Sequence, residues 1–309
     1  MVQFYSHGKL LLTGEYAILD GALGLALPTK FGQSLEVQKT DNKGLHWISL
    51  DERGAVWFEA SFTIDANRDI HITSSKQNDP VYRNTAEGLV SLLEQTLLLN
   101  PSFEASLSGI KVTTQLTFNK AWGLGSSSTL VNNIAQWAEI DPYVLLSKTM
   151  GGSGYDIACA QAEGPILYHL DNGRPVIEQV NFSPPFIKDL YFVYLNKKRV
   201  SKKAIEQYRN VPDKSTTLIT DVSSLTRQIL ECGDRSEFET LIMEHEQLLS
   251  KALKVPTVQE SLFPEYSGAI KSLGAWGGDF VLATSTSDPK DYFKKKGLTI
   301  VIPYSDLIL

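Results

Sequence analysis

The chain has 309 residues, of which 42% are hydrophobic and 21% charged, which is ordinary for a globular protein of one large domain or two. Its net charge of −6 argues against nucleic acid or an anionic membrane surface as a partner. Two cysteines exclude a disulfide framework, and the five histidines lack zinc-ligand spacing. No apolar run is long enough to span a membrane, and the first residues lack a signal-peptide pattern. We therefore expect a cytoplasmic protein.

Alternating apolar residues and turn signals predict strands in the first part of the chain, over residues 1–5, 9–13, 32–39, 47–50 and 56–62. Residues 14–24 form a predicted tight loop. Such a run of hairpins favours an antiparallel or mixed sheet over a doubly wound parallel one. A helix over 84–100, which ends before Pro101, and a strand over 109–117 follow.

The second half predicts an α+β arrangement. A helix starts at Pro142, a strand covers 166–169, and a composition shift near 171–188 indicates a domain boundary or a crossing strand. Further strands are predicted over 190–195, 280–284 and 299–303. Further helices are predicted over 201–210, 216–231, 235–254, 261–273 and 289–296.

Residues 121–138, AWGLGSSSTLVNNIAQWA, are a glycine-serine turn that runs into an amphipathic helix. Gly123 and Gly125 let a ligand approach the backbone closely. The residues from Ser126 to Ser128 place hydroxyls and free N–H groups at a helix start, which attracts phosphate. The plain alternative is a serine-capped helix after a glycine loop. Neither GxxxxGK[ST] nor GxGxxG matches this stretch.

Four side-chain groups elsewhere are candidates for chemistry, each with a plainer alternative. Lys9 is either a cation that binds a phosphate or a solvated lysine on an edge strand. Glu15 is either an acid on the substrate side or an acid of an ordinary loop. Asp156 in GSGYD is a general base or a helix-cap aspartate. The basic residues that begin at Lys197 bind an anionic substrate group or form a solvated face.

Taken together, the segments SHGKLLLTGEYAILDG, WGLGSSST, GGSGYDIA and LGAWGGD resemble the GHMP kinase superfamily, whose motifs occur in this order. Within it, the chain looks most like the mevalonate kinase and phosphomevalonate kinase branch. The GSGYDIA string also resembles a bacterial subgroup described by its GYDIA motif. The resemblance covers nearly the whole chain.

The resemblance implies an α+β fold with a ribosomal-S5-like nucleotide-binding domain over residues 1–172 and a ferredoxin-like domain over 173–309. It implies ATP and Mg²⁺ as cofactors, direct in-line transfer of the γ-phosphoryl group, and a small anionic acceptor. We expect a monomer or a homodimer.

The resemblance also assigns residues. Asp156 looks like the catalytic aspartate, Lys9 like the lysine that pairs with it, and Ser127 like the hydroxyl toward magnesium. The ATP-binding set is Trp122, Gly123, Leu124, Gly125, Ser126, Ser127 and Ser128. The substrate-binding set is Glu15, Tyr16, Ser153, Gly154, Lys197, Ser201, Gly274, Gly277, Gly278 and Asp279.

The chain departs from the family pattern in four ways, one of which is the short segment between the central motif and GSGYD. Ser6-His7 stands where the first motif usually has proline, and Trp276 replaces a small residue in the third motif. Leu145 stands where mevalonate kinases have a glutamate that helps to hold magnesium.

Several functions stay open from the sequence. The leading hypothesis is a kinase of the mevalonate pathway, with phosphomevalonate slightly ahead of mevalonate as acceptor. The alternatives are diphosphomevalonate decarboxylase, which shares the fold, a non-catalytic nucleotide- or metabolite-binding homologue, and a structural domain with chance motifs.

Overall fold

The computed structural model describes residues 1–73, 79–197, 208–209, 216–274 and 278–309. The chain divides into two compact units, and it passes between them more than once. The first unit comprises Met1–Gly8, Phe31–Lys120 and Gly125–Gln161. The second comprises Lys9–Lys30, Ala121–Leu124 and Ala162–Leu309. The predicted domain boundary at residue 172 stays a prediction.

The strands, in chain order, are β1 (Val2–Leu11), β2 (Gly24–Lys39), β3 (Leu45–Leu50), β4 (Val56–Ile64), β5 (Ile70–Ile72), β6 (Ile110–Leu116), β7 (Ile166–Asp171), β8 (Arg174–Gln179), β9 (Leu190–Tyr194), β10 (Ile270–Ser272), β11 (Phe280–Thr284) and β12 (Val301–Pro303). The helices are α1 (Pro80–Leu99), α2 (Ser126–Trp137), α3 (Pro142–Thr149), α4 (Tyr155–Gln161), α5 (Thr216–Glu231), α6 (Arg235–Leu253), α7 (Val258–Leu262), α8 (Lys290–Lys295) and α9 (Tyr304–Leu307). Short 3₁₀ turns cover Ala17–Asp20, Pro101–Ser106, Lys120–Trp122 and Ile187–Asp189.

The first unit is a mixed sheet covered by helices. Its strands lie in the order β5-β4-β3-β6-β2, and β1 pairs with β2. The β3–β6 pair is parallel, and the second half of β2 runs antiparallel to β6. The apolar faces of α1 and α2 pack on the sheet in one core that includes Trp47, Leu93 and Ile134. This packing holds α2 against the sheet of the first unit.

In the second unit, the start of β2 pairs antiparallel with β7, and β7 with β8. A separate antiparallel sheet has the order β10-β11-β9-β12. In chain order its elements are a strand, helices, two strands, a helix and a strand, which is the ferredoxin-like pattern. The α+β prediction is therefore confirmed, and so is the ferredoxin-like arrangement of the last strands.

Local sequence chemistry sets the start of α3. Asp141 accepts hydrogen bonds from the backbone N–H groups of Tyr143 and Val144 at 2.8 and 3.3 Å, and Pro142 occupies the first turn, so α3 begins where predicted. The helix predicted over 216–231 has the same bounds as α5. None of the helices in the described ranges is long and apolar enough to cross a bilayer.

Three predictions of local structure have a different outcome. The helix predicted over 261–273 is wrong: α7 ends at Leu262, and Ile270–Ser272 is strand β10, paired with β11. Pro264 and Gly268 interrupt the helical pattern, and the partner strand decides the rest. The two predicted strands over 1–5 and 9–13 are one continuous strand, β1. The helix over 201–210 lies almost entirely outside the described residues.

Candidate functional site

The turn before α2 has a backbone that suits an anion. Gly123 and Gly125 both have positive φ, at 69° and 90°, and Gly125 is the N-cap residue of α2. Among the residues that the structure describes, no side-chain hydrogen bond caps this helix. Ser127 is exposed, whereas the hydroxyl of Ser128 donates to the carbonyl of Gly125 at 2.9 Å. The first N–H groups of α2 are therefore left for a ligand or solvent.

The start of this turn, residues 121–124, is held by the second unit's own residues. The Lys9 N–H donates to the Leu124 carbonyl at 3.0 Å, and the Tyr194 hydroxyl donates to the Ala121 carbonyl at 3.0 Å. The Trp122 ring meets Phe280 edge to face, with centroids 5.7 Å apart. Trp122, predicted to bind ATP, thus has one side of its ring in contact with strand β11.

Asp156 lies in the first turn of α4 and is half-buried. Its Oδ1 atom is buried and has no hydrogen-bond partner among the residues that the structure describes. Gly154, with a φ of 88°, forms the turn before α4, and its carbonyl accepts from Ile157 and Ala158 at 3.0 and 3.2 Å. Because a buried carboxylate oxygen without a donor is costly, this atom suits an incoming polar group.

Lys9 lies half-buried on β1, in the second unit, whereas Asp156 belongs to the first. The pairing of Lys9 with Asp156 stays a prediction. Ser153, half-buried, and Gly154, buried, directly precede α4.

Glu15 and Tyr16, both predicted on the substrate side, are buried in the second unit. The Tyr16 ring stacks on Tyr208, with centroids 5.5 Å apart. The Glu15 carboxylate is fully buried and hydrogen-bonded to the ammonium of Lys271, which is also fully buried. Their contact with substrate stays a prediction, but in this conformation Glu15 holds the loop to strand β10.

Two further titratable residues complete this cluster. The Glu246 carboxylate lies 3.6 Å from Lys271 Nζ and accepts from the N–H and hydroxyl of Ser272 at 3.0 and 3.2 Å. His245 Nε2 accepts the Gly14 N–H at 3.1 Å, so this nitrogen carries no proton and the ring is neutral. Because the ring is neutral, its 3.6 Å approach to Glu15 Oε2 is not an ion pair. We call Glu15, His245, Glu246 and Lys271 the charged cluster.

Burial dominates the electrostatics of the charged cluster. Desolvation raises the pKa of Glu15 to about 7, although the Lys271 ammonium acts in the opposite direction. Burial also raises the pKa of Glu246 and, together with the charge of Lys271, lowers the pKa of His245 well below its usual value. Within the described residues, Glu15 Oε2 and His245 Nδ1 have no hydrogen-bond partner.

The third glycine segment approaches the first part of the α2 turn. The Asp279 carboxylate lies against Gly123, where a Cβ atom would collide with it. Asp279 has a φ of 51°, and its N–H donates to the Lys197 carbonyl at 2.7 Å. The structure thus brings Gly123, Lys197 and Asp279 together, with Gly278 beside them and Gly274 at the start of the segment. Ser201, Trp276 and Gly277 lie outside the described residues.

The donor set offers little to a metal ion by itself. No group of three or more His, Cys, Asp or Glu residues in the described ranges could hold one. Leu145, where mevalonate kinases have a glutamate, is fully buried in the core of the first unit. The hydroxyl of Ser127 is exposed and is an oxygen ligand of the kind that Mg²⁺ takes, and its predicted role toward the metal stays a prediction.

Sequence reasoning missed Lys271, His245 and Glu246. A lysine between Ile270 and Ser272 in an apolar stretch was the one available signal. A helix over this stretch predicts no partner for Lys271, whereas the residue lies on strand β10, is fully buried and contacts Glu15 and Glu246.

Comparison with known proteins places the fold. No protein-family model matches the chain, and no curated protein matches it by sequence. Among solved structures, a Lin0012 protein from Listeria innocua aligns with a TM-score of 0.69 and 17% identity, over 97% of this chain and 96% of that one. The L. major mevalonate kinase in complex with R-mevalonate aligns at 0.66 and 16%, over 96% and 91%.

A third similar structure is Streptococcus pneumoniae phosphomevalonate kinase in complex with phosphomevalonate and AMPPNP, at a TM-score of 0.65 and 18% identity. The alignment covers 100% of this chain and 98% of that one. The fold of this chain is therefore the GHMP kinase fold, as predicted. Further solved structures of a mevalonate kinase, a phosphomevalonate kinase and a heptose 1-phosphate kinase also align with this chain.

Proposed function

We propose that the protein is an ATP-dependent kinase that transfers the γ-phosphoryl group of ATP to a small anionic acceptor. Phosphomevalonate is our first candidate acceptor and mevalonate the second. The shared fold supports the class, and one structural neighbour was solved with phosphomevalonate and AMPPNP. The observation that carries the proposal is the buried Oδ1 atom of Asp156, which has no partner in the described part of the chain.

The proposed roles follow from the chemistry of each group. Asp156 would orient the acceptor oxygen or take its proton, as aspartates do in phosphoryl transfer. Lys9 would keep Asp156 ionised and neutralise charge on the transferred group. The N–H groups of Ser126 and Ser127 at the start of α2 would bind nucleotide phosphate. Mg²⁺, when bound with the nucleotide, supplies charge neutralisation, and Ser127 would offer it a hydroxyl.

An acceptor screen tests the reaction class. Purified protein is incubated with ATP and Mg²⁺ and, separately, phosphomevalonate, mevalonate and heptose 1-phosphate, and ADP release is measured. We expect release with one acceptor above the rate with ATP alone. The absence of acceptor-dependent ADP release across this panel would overturn the proposed acceptor class.

A substitution of Asp156 isolates the chemical step. Asp156→Asn keeps the size of the side chain but removes the base, so turnover should fall at least about 10²-fold while ATP affinity changes little. Steady-state kinetics and calorimetric titration with an ATP analogue give both quantities. Asp41→Asn, an exposed aspartate of the same unit, is the control and should change neither. Full activity of Asp156→Asn would show that another group is the base.

A non-catalytic nucleotide-binding protein is the second candidate. The buried Leu145 and the lack of a three-ligand acidic group in the described residues favour it. Titration calorimetry distinguishes the two, since ATP binding without turnover on any acceptor would support this alternative. Mevalonate diphosphate decarboxylase from Staphylococcus aureus also shares the fold, at a TM-score of 0.57. Measurement of CO₂ release from diphosphomevalonate tests that reaction.

A further inference from the structure

We propose that Asn132 and Gln161 are positioning residues, whose hydrogen bond fixes the helix of Asp156 against the helix that follows the glycine-serine turn. The inference rests on the proposed function, because it assigns a purpose to the alignment of these two helices. Gln161 Nε2 donates to Asn132 Oδ1 at 2.8 Å. Asn132 lies on α2 and Gln161 is the last residue of α4.

The bond joins the two functional helix starts through short lengths of helix. Asn132 lies two turns or less from Ser126, and Gln161 is similarly close to Asp156. At 1.5 Å of rise per residue, the bond is roughly 9 Å from the start of α2 and roughly 8 Å from Asp156 along each helix axis. A shift of α4 at this bond should therefore move Asp156 as well.

The hydrogen bonds around Asn132 have a defined direction. Asn132 is fully buried, and its Nδ2 atom donates to Ser6 Oγ at 2.9 Å. Ser6 Oγ in turn donates to Asn133 Oδ1 at 2.7 Å. A hydroxyl has one proton, and Ser6 donates it to Asn133, so Ser6 can only accept from Asn132, and the group of Asn132 that faces Ser6 is its Nδ2. Asn132 Oδ1 must then face Gln161, which has to be the donor.

The same bonds attach α2 to the sheet. Asn133 Nδ2 donates to the Gln33 carbonyl at 2.9 Å, and the Thr129 hydroxyl donates to Gln33 Oε1 at 2.8 Å. Gln33 lies on β2 and Ser6 on β1. We call Ser6, Gln33, Thr129, Asn132 and Asn133 the neutral network. Gln161 is the point at which this network reaches α4.

The Ser6 hydroxyl joins Asn132 to Asn133 and so connects the bond to Gln161 with strand β1. Phosphoryl transfer depends on the placement of the base, and a misplacement of about 1 Å can cost about 10²-fold in rate. The link should therefore affect turnover more than nucleotide binding.

Substitution of Gln161 tests the role, because this residue is exposed and its replacement should leave the fold intact. Gln161→Met and Gln161→Glu remove the donor, whereas Gln161→Lys keeps one. We expect kcat to fall about 10-fold in the first two, with KM for ATP within about twofold, and Gln161→Lys to keep at least about half of kcat. Gln136→Met, the same change at an exposed position of α2, is the matched control.

Two kinetic outcomes would overturn the proposal. One is an unchanged kcat in both Gln161→Met and Gln161→Glu. The other is an equal loss in Gln161→Lys, because the donated hydrogen bond would then be irrelevant.

Hydrogen exchange gives a readout that needs no activity. Amide exchange of residues 155–160, measured by mass spectrometry on the full chain, should increase in Gln161→Met and Gln161→Glu but not in Gln161→Lys or Gln136→Met. Unchanged exchange in the donor-free variants would overturn the positioning role. If the unaltered protein transfers phosphate to no acceptor, the proposed function fails, and exchange alone then decides whether the bond fixes α4.

Discussion

The two compact units each contain a buried polar group of residues, built from different chemistry. The neutral network of the first unit is made of hydroxyl and amide groups, and each of its hydrogen bonds has a defined donor and acceptor. The charged cluster of the second unit has one ammonium, two carboxylates and one imidazole. Both attach a segment with a predicted functional role: α2 in the first unit and the Gly14–Tyr16 loop in the second.

The difference lies in how completely the polar groups are satisfied. Each bond of the neutral network pairs a donor with an acceptor, and none of its members titrates near neutral pH. In the charged cluster, Glu15 Oε2 and His245 Nδ1 are without a partner in the described residues. Desolvation shifts the pKa values of three of its members. The neutral network should therefore hold its helix at any moderate pH, whereas the charged cluster makes stability depend on pH.

The largest expected loss of unfolding free energy is for substitution of Lys271. Lys271→Met leaves the buried carboxylates of Glu15 and Glu246 without their cation, and such a loss costs about 3–5 kcal/mol of unfolding free energy. Urea unfolding at pH 8 measures it. The loss should be smaller at pH 5, where Glu15 can take up a proton and become neutral.

The control for Lys271 is Lys290→Met, because Lys290 forms an exposed pair with Asp288 at 3.2 Å. An exposed pair of this kind contributes about 0–1 kcal/mol. Equal losses in the two variants would show that burial does not set the strength of the charged cluster.

A medium effect is expected in the neutral network. Ser6→Ala removes the donor to Asn133 and the acceptor for Asn132, which leaves two buried amide groups unsatisfied. The expected loss is about 1–3 kcal/mol of unfolding free energy, equal at pH 5 and pH 8. Urea unfolding at both pH values measures it, and a loss that changes by more than about 1 kcal/mol between them would contradict the contrast between the two units.

The last effect is a change at Glu15 in how steeply the unfolding free energy depends on pH. Its pKa is raised from 4.5 to about 7, so the folded protein binds this proton more tightly than the unfolded chain does. The contribution of Glu15 to stability is thus complete below pH 4.5 and is lost as the pH rises to about 7. The raised pKa of Glu246 acts in the same sense. The lowered pKa of His245 acts oppositely, because its contribution is present above 6.5 and is lost as the pH falls.

Glu15→Gln should remove one of these contributions. Between pH 4.5 and 7 the unfolding free energy of the variant should rise more steeply with pH than that of the unaltered protein, by up to about 1.4 kcal/mol per pH unit. Urea unfolding at pH 5, 6 and 7 gives the slopes. Glu244→Gln, at an exposed position of α6, should leave the slope unchanged. Identical slopes in Glu15→Gln and the unaltered protein would refute the raised pKa.

Much of the local structure was predictable. Caps, prolines and apolar periodicity located α3 and α5, and the alternation of apolar residues located β3 and β4. The prediction of a helix over 261–273 was wrong. Its apolar spacing suits a helix, but Ile270–Ser272 pairs with strand β11 instead. A local sequence pattern does not specify which strand a segment will pair with.

The sequence by itself determined the order of the glycine-rich segments, the helix start at Ser126 and the resemblance to the GHMP kinases, since these depend on residues close together in the chain. Only the tertiary structure decided what Glu15 and Ser6 do. Glu15 meets Lys271 across 256 residues, and Ser6 meets Asn133 across 127. Desolvation and the direction of a buried hydrogen bond arise only when distant segments pack together, and no spacing in the sequence encodes them.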